Sequence, residues 1–222
     1  MMRDLVLNDF VLLTLATRWT ILLSLIAFIG GGFVGGIVAY GRISRAAPVR
    51  AISAGYIQVI QGTPLLIQLF IWYFGLSLVG TNLPPLVAAG IAVTLNSSAF
   101  FAEIWRGCLE AIPRPQWEAA ASLALTRFQQ SRYVIVPQAT RIALAPTVGF
   151  MVQIIKNTSL TALVGFVELM RQGQMITNVT FEPLPIYLYA GAVYFALCFP
   201  LSALSHKLER KFNAGRSTYR GA

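Results

Sequence analysis

The sequence predicts an all-α membrane protein: five transmembrane helices and one helical hairpin standing out of the membrane. Three observations carry that prediction. The 222 residues are 56% hydrophobic and only 11% charged, with a mean hydropathy of +0.67, which lies outside the range of ordinary soluble domains. Apolar runs long enough to cross a bilayer, about 20 residues each, recur along the chain. Between two of them lies a polar, helix-forming stretch, Arg114 to Arg141, carrying Arg114, Glu118, Arg127, Arg132 and Arg141.

The spans are expected at 19–41, 52–80, 84–108, 142–167 and 186–205, all within a single transmembrane domain covering 1–222. The first contains Gly30-Gly31-Gly32-Phe33-Val34-Gly35-Gly36. Formally this is GxGxxG, but no strand precedes it and no acidic residue follows in a soluble βαβ unit, so a dinucleotide site is not expected. Small residues four apart, Gly31 with Gly35 and Gly32 with Gly36, predict close helix packing in lipid. The second span is interrupted by Gln61-Gly62-Thr63-Pro64, where Pro64 removes a helix donor. The fourth is expected to break at Lys156-Asn157-Thr158-Ser159.

Arg and Lys placement orients the spans. Thirteen of the seventeen basic residues fall on one side: Arg42, Arg45 and Arg50; then Arg106, Arg114, Arg127, Arg132 and Arg141; then Lys207, Arg210, Lys211, Arg216 and Arg220. Arg3, Arg18 and Arg171 fall on the other, and Lys156 is within a span. The crowded side is expected to be cytoplasmic, with the N-terminus outside. The net charge of +9 is therefore a topology signal and does not indicate a nucleic-acid partner. Cys108 and Cys198 lie in apolar segments without CxxC spacing or a His cluster, so no disulfide frame or metal site is expected. The Met1-Met2-Arg3-Asp4 start does not read as a signal peptide. The spans hold no Ser/His, paired Asp or HExxH constellation for an intramembrane enzyme.

The polar stretch resolves into a hairpin over 113–137. Pro113 and Pro115 end the third span, and from Gln116 the residues favour helix, with Glu118 placed in the first turn where the dipole favours an anion. Thr126-Arg127-Phe128-Gln129 reads as a capping box opening a second short helix, expected to stop at Pro137. Ala119-Ala120-Ala121 makes a face that another backbone can approach closely, and Trp117 and Phe128 are anchors of interface type. The residues alone leave two readings open: a knob that docks into a cytoplasmic partner, or an amphipathic hairpin lying on the inner leaflet.

Several motifs add a resemblance. Glu118-Ala119-Ala120 with Leu123 and Val136-Pro137 resembles the EAA loop of ABC importer permeases. "QGTPLLIQLFIWYFGL" (61–76), "FFAEIWRGCLEAIPRPQWEAAASLALT" (100–126), "YVIVPQATRIALAP" (133–146) and "IIKNTSL" (154–160) resemble the polar-amino-acid uptake permeases, the histidine/glutamine/glutamate/arginine branch, over about 20–210. The resemblance implies the type I importer permease fold and a bacterial inner-membrane location. Two permease subunits, identical or paralogous, would form the pathway. Two ATPase subunits would dock beneath, and an external binding protein would deliver a polar amino acid. Trp117, Glu118, Ala119, Ala120, Ala121, Ala124 and Leu125 would carry the ATPase contact. The chain has no GxxxxGK[ST] loop, so it is expected to hold no cofactor, with ATP and Mg²⁺ in the partner subunits. Three positions depart from the family pattern. Ala124 stands where Gly is usual at the hairpin bend, Gln61 replaces the Arg of Arg-Gly-Thr-Pro, and Asn157 replaces the Asp of Lys-Asp-Thr-Ser.

The substrate pathway is expected along Gln61 and Thr63 of one interrupted span and Gln153, Lys156, Asn157, Thr158 and Ser159 of the other. Lys156 has two alternatives, pairing with Glu168 or snorkelling outward. Glu103 and Arg106, three apart, are either a gate contact or an intrahelical ion pair. The competing function is a secondary carrier or channel for amino acids that needs no ATPase; such a carrier has no use for an EAA hairpin.

Overall fold

The computed structural model describes residues 3–217, with side chains through 212. The Met1-Met2 start, the Arg216 side chain and Arg220 of the charge count lie outside the described residues. All regular structure described is helical.

The first helix, α1 (Leu7–Arg42), starts twelve residues before the expected span. Asp9 sits in its first turn, accepts from the Val6 N–H at 3.0 Å and binds the Arg3 guanidinium at 2.8 Å, a favourable anion at a helix N-terminus. A short turn leads to α2 (Ala47–Gly62), and α3 (Leu65–Leu78) follows at an angle of 99°. The break is local chemistry. Pro64 lacks an N–H, and Thr63 before it is extended, at φ −114° and ψ 134°. The second expected span, 52–80, is counted only if this bent pair crosses together; the other four candidates are single long helices.

The central helix α4 (Pro85–Glu110) begins on Pro84-Pro85 and packs most extensively against α1. The glycine run makes that contact possible. A Cβ on Gly31 would stand 2.8 Å from the Ser97 Cβ, and one on Gly35 would stand 2.8 Å from the Ser98 carbonyl oxygen. Gly32 and Gly36 turn instead towards the Trp105 ring. The buried core around this seam holds Leu23, Ala27, Ala92, Val93 and Phe101, joined by Leu69 and Ile154 from flanking helices.

The hairpin follows. Helix α5 (Arg114–Ser122) is closed by Leu123, and Ala124 takes the left-handed conformation at φ 55°. Thr126 and Gln129 form the expected capping box, with the Gln129 side chain accepting from the Thr126 N–H at 2.8 Å. Because α5 starts at Arg114, Glu118 is its fifth residue and lies beyond the first turn expected for it. The helix opened by Arg127 does not stop at Pro137. It runs on as α6 (Arg127–Val164) through a π-helical turn at Gln130–Ile135. The widened turn has the Val136 N–H reaching back to Ser131 and accommodates the missing Pro137 donor.

The expected break at Lys156–Ser159 is absent too, since the α-helical part of α6 extends to Thr158. The polar residues satisfy one another inside the helix: Gln153 donates to the Asn157 side chain at 3.0 Å, and the Thr158 and Ser159 hydroxyls donate to Ile155 and Lys156 carbonyls. The helix then tightens into a 3₁₀ segment, Ser159–Val164, and turns at Gly165 with φ 83°. A helix outside the five expected spans, α7 (Leu169–Thr180), comes next. The last, α8 (Pro183–Ser217), passes Pro200 without ending.

An L-residue at φ 55° is strained by roughly 1 kcal/mol, which Gly does not suffer. Ala124→Gly is therefore expected to raise thermal stability by up to about 1 kcal/mol, read as a higher unfolding midpoint in detergent. An unchanged or lower midpoint would show that Ala124 carries no strain.

Candidate functional site

Two polar regions stand out against the apolar bundle. The first is the hairpin elbow. Ile112, Ile135 and Ala139 form a small core beneath it, with Trp117 and Val134 packed against them. Trp117 therefore holds the elbow to the bundle, and Ala120 on the same helix is buried. The opposite face is open. Glu118, Ala119, Ala121 and Ala124 are exposed and Leu125 is half-buried, while Leu123 and Phe128 are exposed by 74% and 73%. Two large apolar side chains so exposed flank the tight bend at Ala124. Leu123, which carried only part of the motif in the sequence, is more accessible than Trp117.

Next to the elbow, at the end of α4, lies an ionic cluster. The Arg106 guanidinium donates to Glu103 at 2.6 Å and to Glu110 at 2.5 Å. Arg42 at the end of α1 approaches Glu103 at 3.8 Å. The cluster thus joins helices α1 and α4 besides being an intrahelical pair.

The second region comprises the break at Pro64 and the polar run on the continuous helix α6. Gln61 is exposed and its amide reaches the Ala99 carbonyl at 3.2 Å; Thr63 bonds back to Val59 at 2.9 Å. The sequence reading missed Gln68. It is buried, and its amide donates to the Ile60 and Thr63 carbonyls at 2.8 and 3.0 Å, groups stranded by Pro64. Its spacing four residues after that proline was the available signal. On α6, Gln153 and Lys156 are exposed on the flank of the isolated chain, Asn157 and Ser159 are half-buried, and Thr158 is buried. The two groups, Gln61 with Thr63 and Gln153 to Ser159, lie on separate helices, and no hydrogen bond joins them among the described residues.

Lys156 does not pair with Glu168. That carboxylate is fully buried and caps α7 by accepting from the Arg171 N–H at 2.9 Å. It also accepts from the Tyr194 hydroxyl at 2.8 Å and the Thr20 hydroxyl at 3.3 Å. Glu168 thereby ties α1, α7 and α8 together, another role the sequence reading missed.

An α-helical bundle with one bent pair, an apolar core and a polar elbow between two long helices is the permease fold of type I ABC importers. The family comparison agrees: a model described as binding-protein-dependent transport system inner membrane component matches residues 31–214. The chain belongs to that family. Among its relatives is the glutamine transport system permease protein GlnP of Escherichia coli K12, 33% identical over 90% of this chain and 92% of its own. The L-cystine transport system permease protein TcyB of Bacillus subtilis is 35% identical over 88% of this chain and 84% of its own. The crystal structure of an amino acid ABC transporter with histidines superposes with a TM-score of 0.86 at 34% identity, covering 90% of this chain and 94% of that one. An inward-facing MetNI methionine ABC transporter shares the fold at a TM-score of 0.76 and 18% identity. The ATP-independent carrier or channel is not favoured by any of these.

Proposed function

We propose that this chain is the membrane-spanning subunit of an ATP-driven importer that takes up a polar amino acid handed over by an external binding protein. The amino-acid assignment is drawn from the relatives, whose names include glutamine and cystine permeases. The observation that carries the mechanical part is the elbow. It is braced from within by Trp117 and Ala120 and open outward at Glu118, Ala119, Ala121 and Ala124. Two ATPase subunits, holding ATP and Mg²⁺, dock on this surface in a complex with a second permease subunit. The elbow side is cytoplasmic, with the N-terminus outside, because the basic residues crowd there. Closure of the ATPase pair pulls on α5, and the direct run of α6 from Arg127 to Val164 carries that pull deep into the membrane. The Glu103–Arg106 cluster at the inner ends of α4 and α1 is the gate contact that such a pull would open.

The pathway runs along Gln61, Thr63, Gln153, Lys156, Asn157, Thr158 and Ser159, between this subunit and the second one. An exposed lysine on a membrane-spanning flank is costly against lipid, so the Lys156 face suits a polar lumen. Lys156→Met is expected to lower uptake about tenfold, the loss of about 1.4 kcal/mol of transition-state contact, with ATPase association unchanged. Normal uptake with unaltered selectivity would remove Lys156 from the pathway.

Reconstitution tests the whole reading. Proteoliposomes containing this chain, its ATPase and a second permease subunit should accumulate amino acid only with ATP inside and binding protein outside. Uptake by this chain alone would overturn the proposal.

A further inference from the structure

At the elbow end two cavities share a wall. The first is an apolar groove of about 440 Å³ between α1, α4 and α6, with Trp105, Ala143 and Thr147 among its lining residues. Tyr40 and Leu144 line it and are exposed. From Val136 to Thr147 it follows α6 for roughly 16 Å at 1.5 Å per residue. The second cavity, about 560 Å³, lies towards the elbow and is lined by Arg45, Arg114 and Arg127 with the Ser44 and Ser131 hydroxyls. Tyr40, Ile43, Leu109 and Val136 line both cavities, so the two adjoin.

Charge decides the occupant. Arg45, Arg114 and Arg127 are exposed and make no ion pair among the described residues. The acidic residue of the same wall, Glu110, is already held by Arg106 at 2.5 Å. The mouth is therefore cationic, and the slot behind it is apolar. That pair of features fits an amphiphile with an anionic head and a hydrocarbon tail. A free anion has no use for the groove, and an apolar partner helix would leave three arginines without a counter-charge.

We propose that this double cavity binds an anionic phospholipid of the leaflet facing the elbow, its tail along α6 and its phosphate among Arg45, Arg114 and Arg127. Basic pockets between helices at a membrane surface attract acidic headgroups by roughly fivefold per Arg before screening. Tyr40 and Trp117, which line the second cavity, are of the type that settles at the headgroup level. Arg45 belongs to the α1–α2 turn, Arg114 starts α5 and Arg127 starts α6. One headgroup thus cross-links the bundle to both arms of the elbow. The leaflet follows from the proposed orientation; the binding does not depend on the substrate or on the ATPase assignment.

Native mass spectrometry of the full assembly, delipidated and then supplied with phosphatidylglycerol or phosphatidylcholine of identical tails, tests this. The intact protein should retain phosphatidylglycerol about tenfold better. The triple variant Arg45→Gln, Arg114→Gln, Arg127→Gln should retain both equally, and Thr140→Phe, which fills the groove, should lose both. Hydrogen exchange in α4 identifies folded variants; if the triple variant fails that check, Arg45→Gln alone should still narrow the preference. Equal retention by the intact protein, or a preference untouched by arginine removal, overturns the proposal. Displacement of the lipid by excess inorganic phosphate would mark a free-anion site and overturn it as well. So would a Thr140→Phe protein that keeps its lipid but loses the second permease subunit, since the groove would then be a subunit interface.

Discussion

Glu118→Lys is expected to abolish transport by uncoupling the ATPase while leaving the membrane domain folded. Glu118 is exposed on the outer face of α5. Among the described residues its side chain makes no ion pair, and its backbone carbonyl accepts from the Ser122 hydroxyl at 3.0 Å. Its carboxylate is thus available to a partner. Ala119 and Ala121 beside it present only methyl groups, so a docking surface can come close enough to exclude water. A charge contact in that setting is worth roughly 2–5 kcal/mol when one member is removed, and reversing its sign adds repulsion. ATPase association should weaken by at least about thirtyfold, with ATP-driven uptake lost in proportion. Glu118→Gln, which keeps the shape, should fall between. Co-purification of the ATPase with the variant, alongside circular dichroism of the membrane domain, measures both halves. Full association with the lysine variant would remove Glu118 from the interface.

The second large effect is expected at Gly35. Even a methyl group there would stand 2.8 Å from the Ser98 carbonyl oxygen and 2.9 Å from the Phe101 Cβ. The first of these is helix backbone and cannot rotate away. Gly35→Leu must push α1 off α4, separating the most extensive helix contact in the molecule and opening the seam around Phe101. Overpacking typically costs 1–3 kcal/mol, and separation of two long helices adds lost contact along their length, so about 3 kcal/mol or more is expected. The variant should accumulate poorly and unfold at a markedly lower temperature. Gly107→Leu is the control, because nothing stands within 4 Å of a Cβ at that position. Equal stability of the two variants would show that the α1–α4 seam is not the constraint it is taken to be.

The elbow was legible because its determinants are local. Pro113 and Pro115 fix where α5 begins, Thr126 and Gln129 cap the next helix, and Ala124 bends between them; each acts within a few residues of itself. The proline signal also has a local limit. Pro64 bends its helices by 99°, yet Pro137, Pro146 and Pro200 lie within helices that continue. A proline ends a helix only when the freed carbonyl finds no other arrangement, and the π turn ahead of Pro137 supplies one. The polar run at Lys156–Ser159 was misread for a related reason. Hydroxyl and amide side chains can break a helix or bond to its own turns, and here they bond to their own turns.

The sequence by itself determined the helical class, the membrane environment, the side on which basic charge collects and the existence of an elbow. Hydrophobic length, prolines, caps and arginine counts act over a window shorter than one span, so they survive without a three-dimensional context. Tertiary structure alone decided which glycines press against α4, that Gln68 staples the break at Pro64, that Trp117 faces inward, and that Glu168 is buried against Thr20 and Tyr194. Those outcomes join residues as far as 148 positions apart. Burial is a property of what a side chain meets in space, and no stretch of sequence contains its own neighbours.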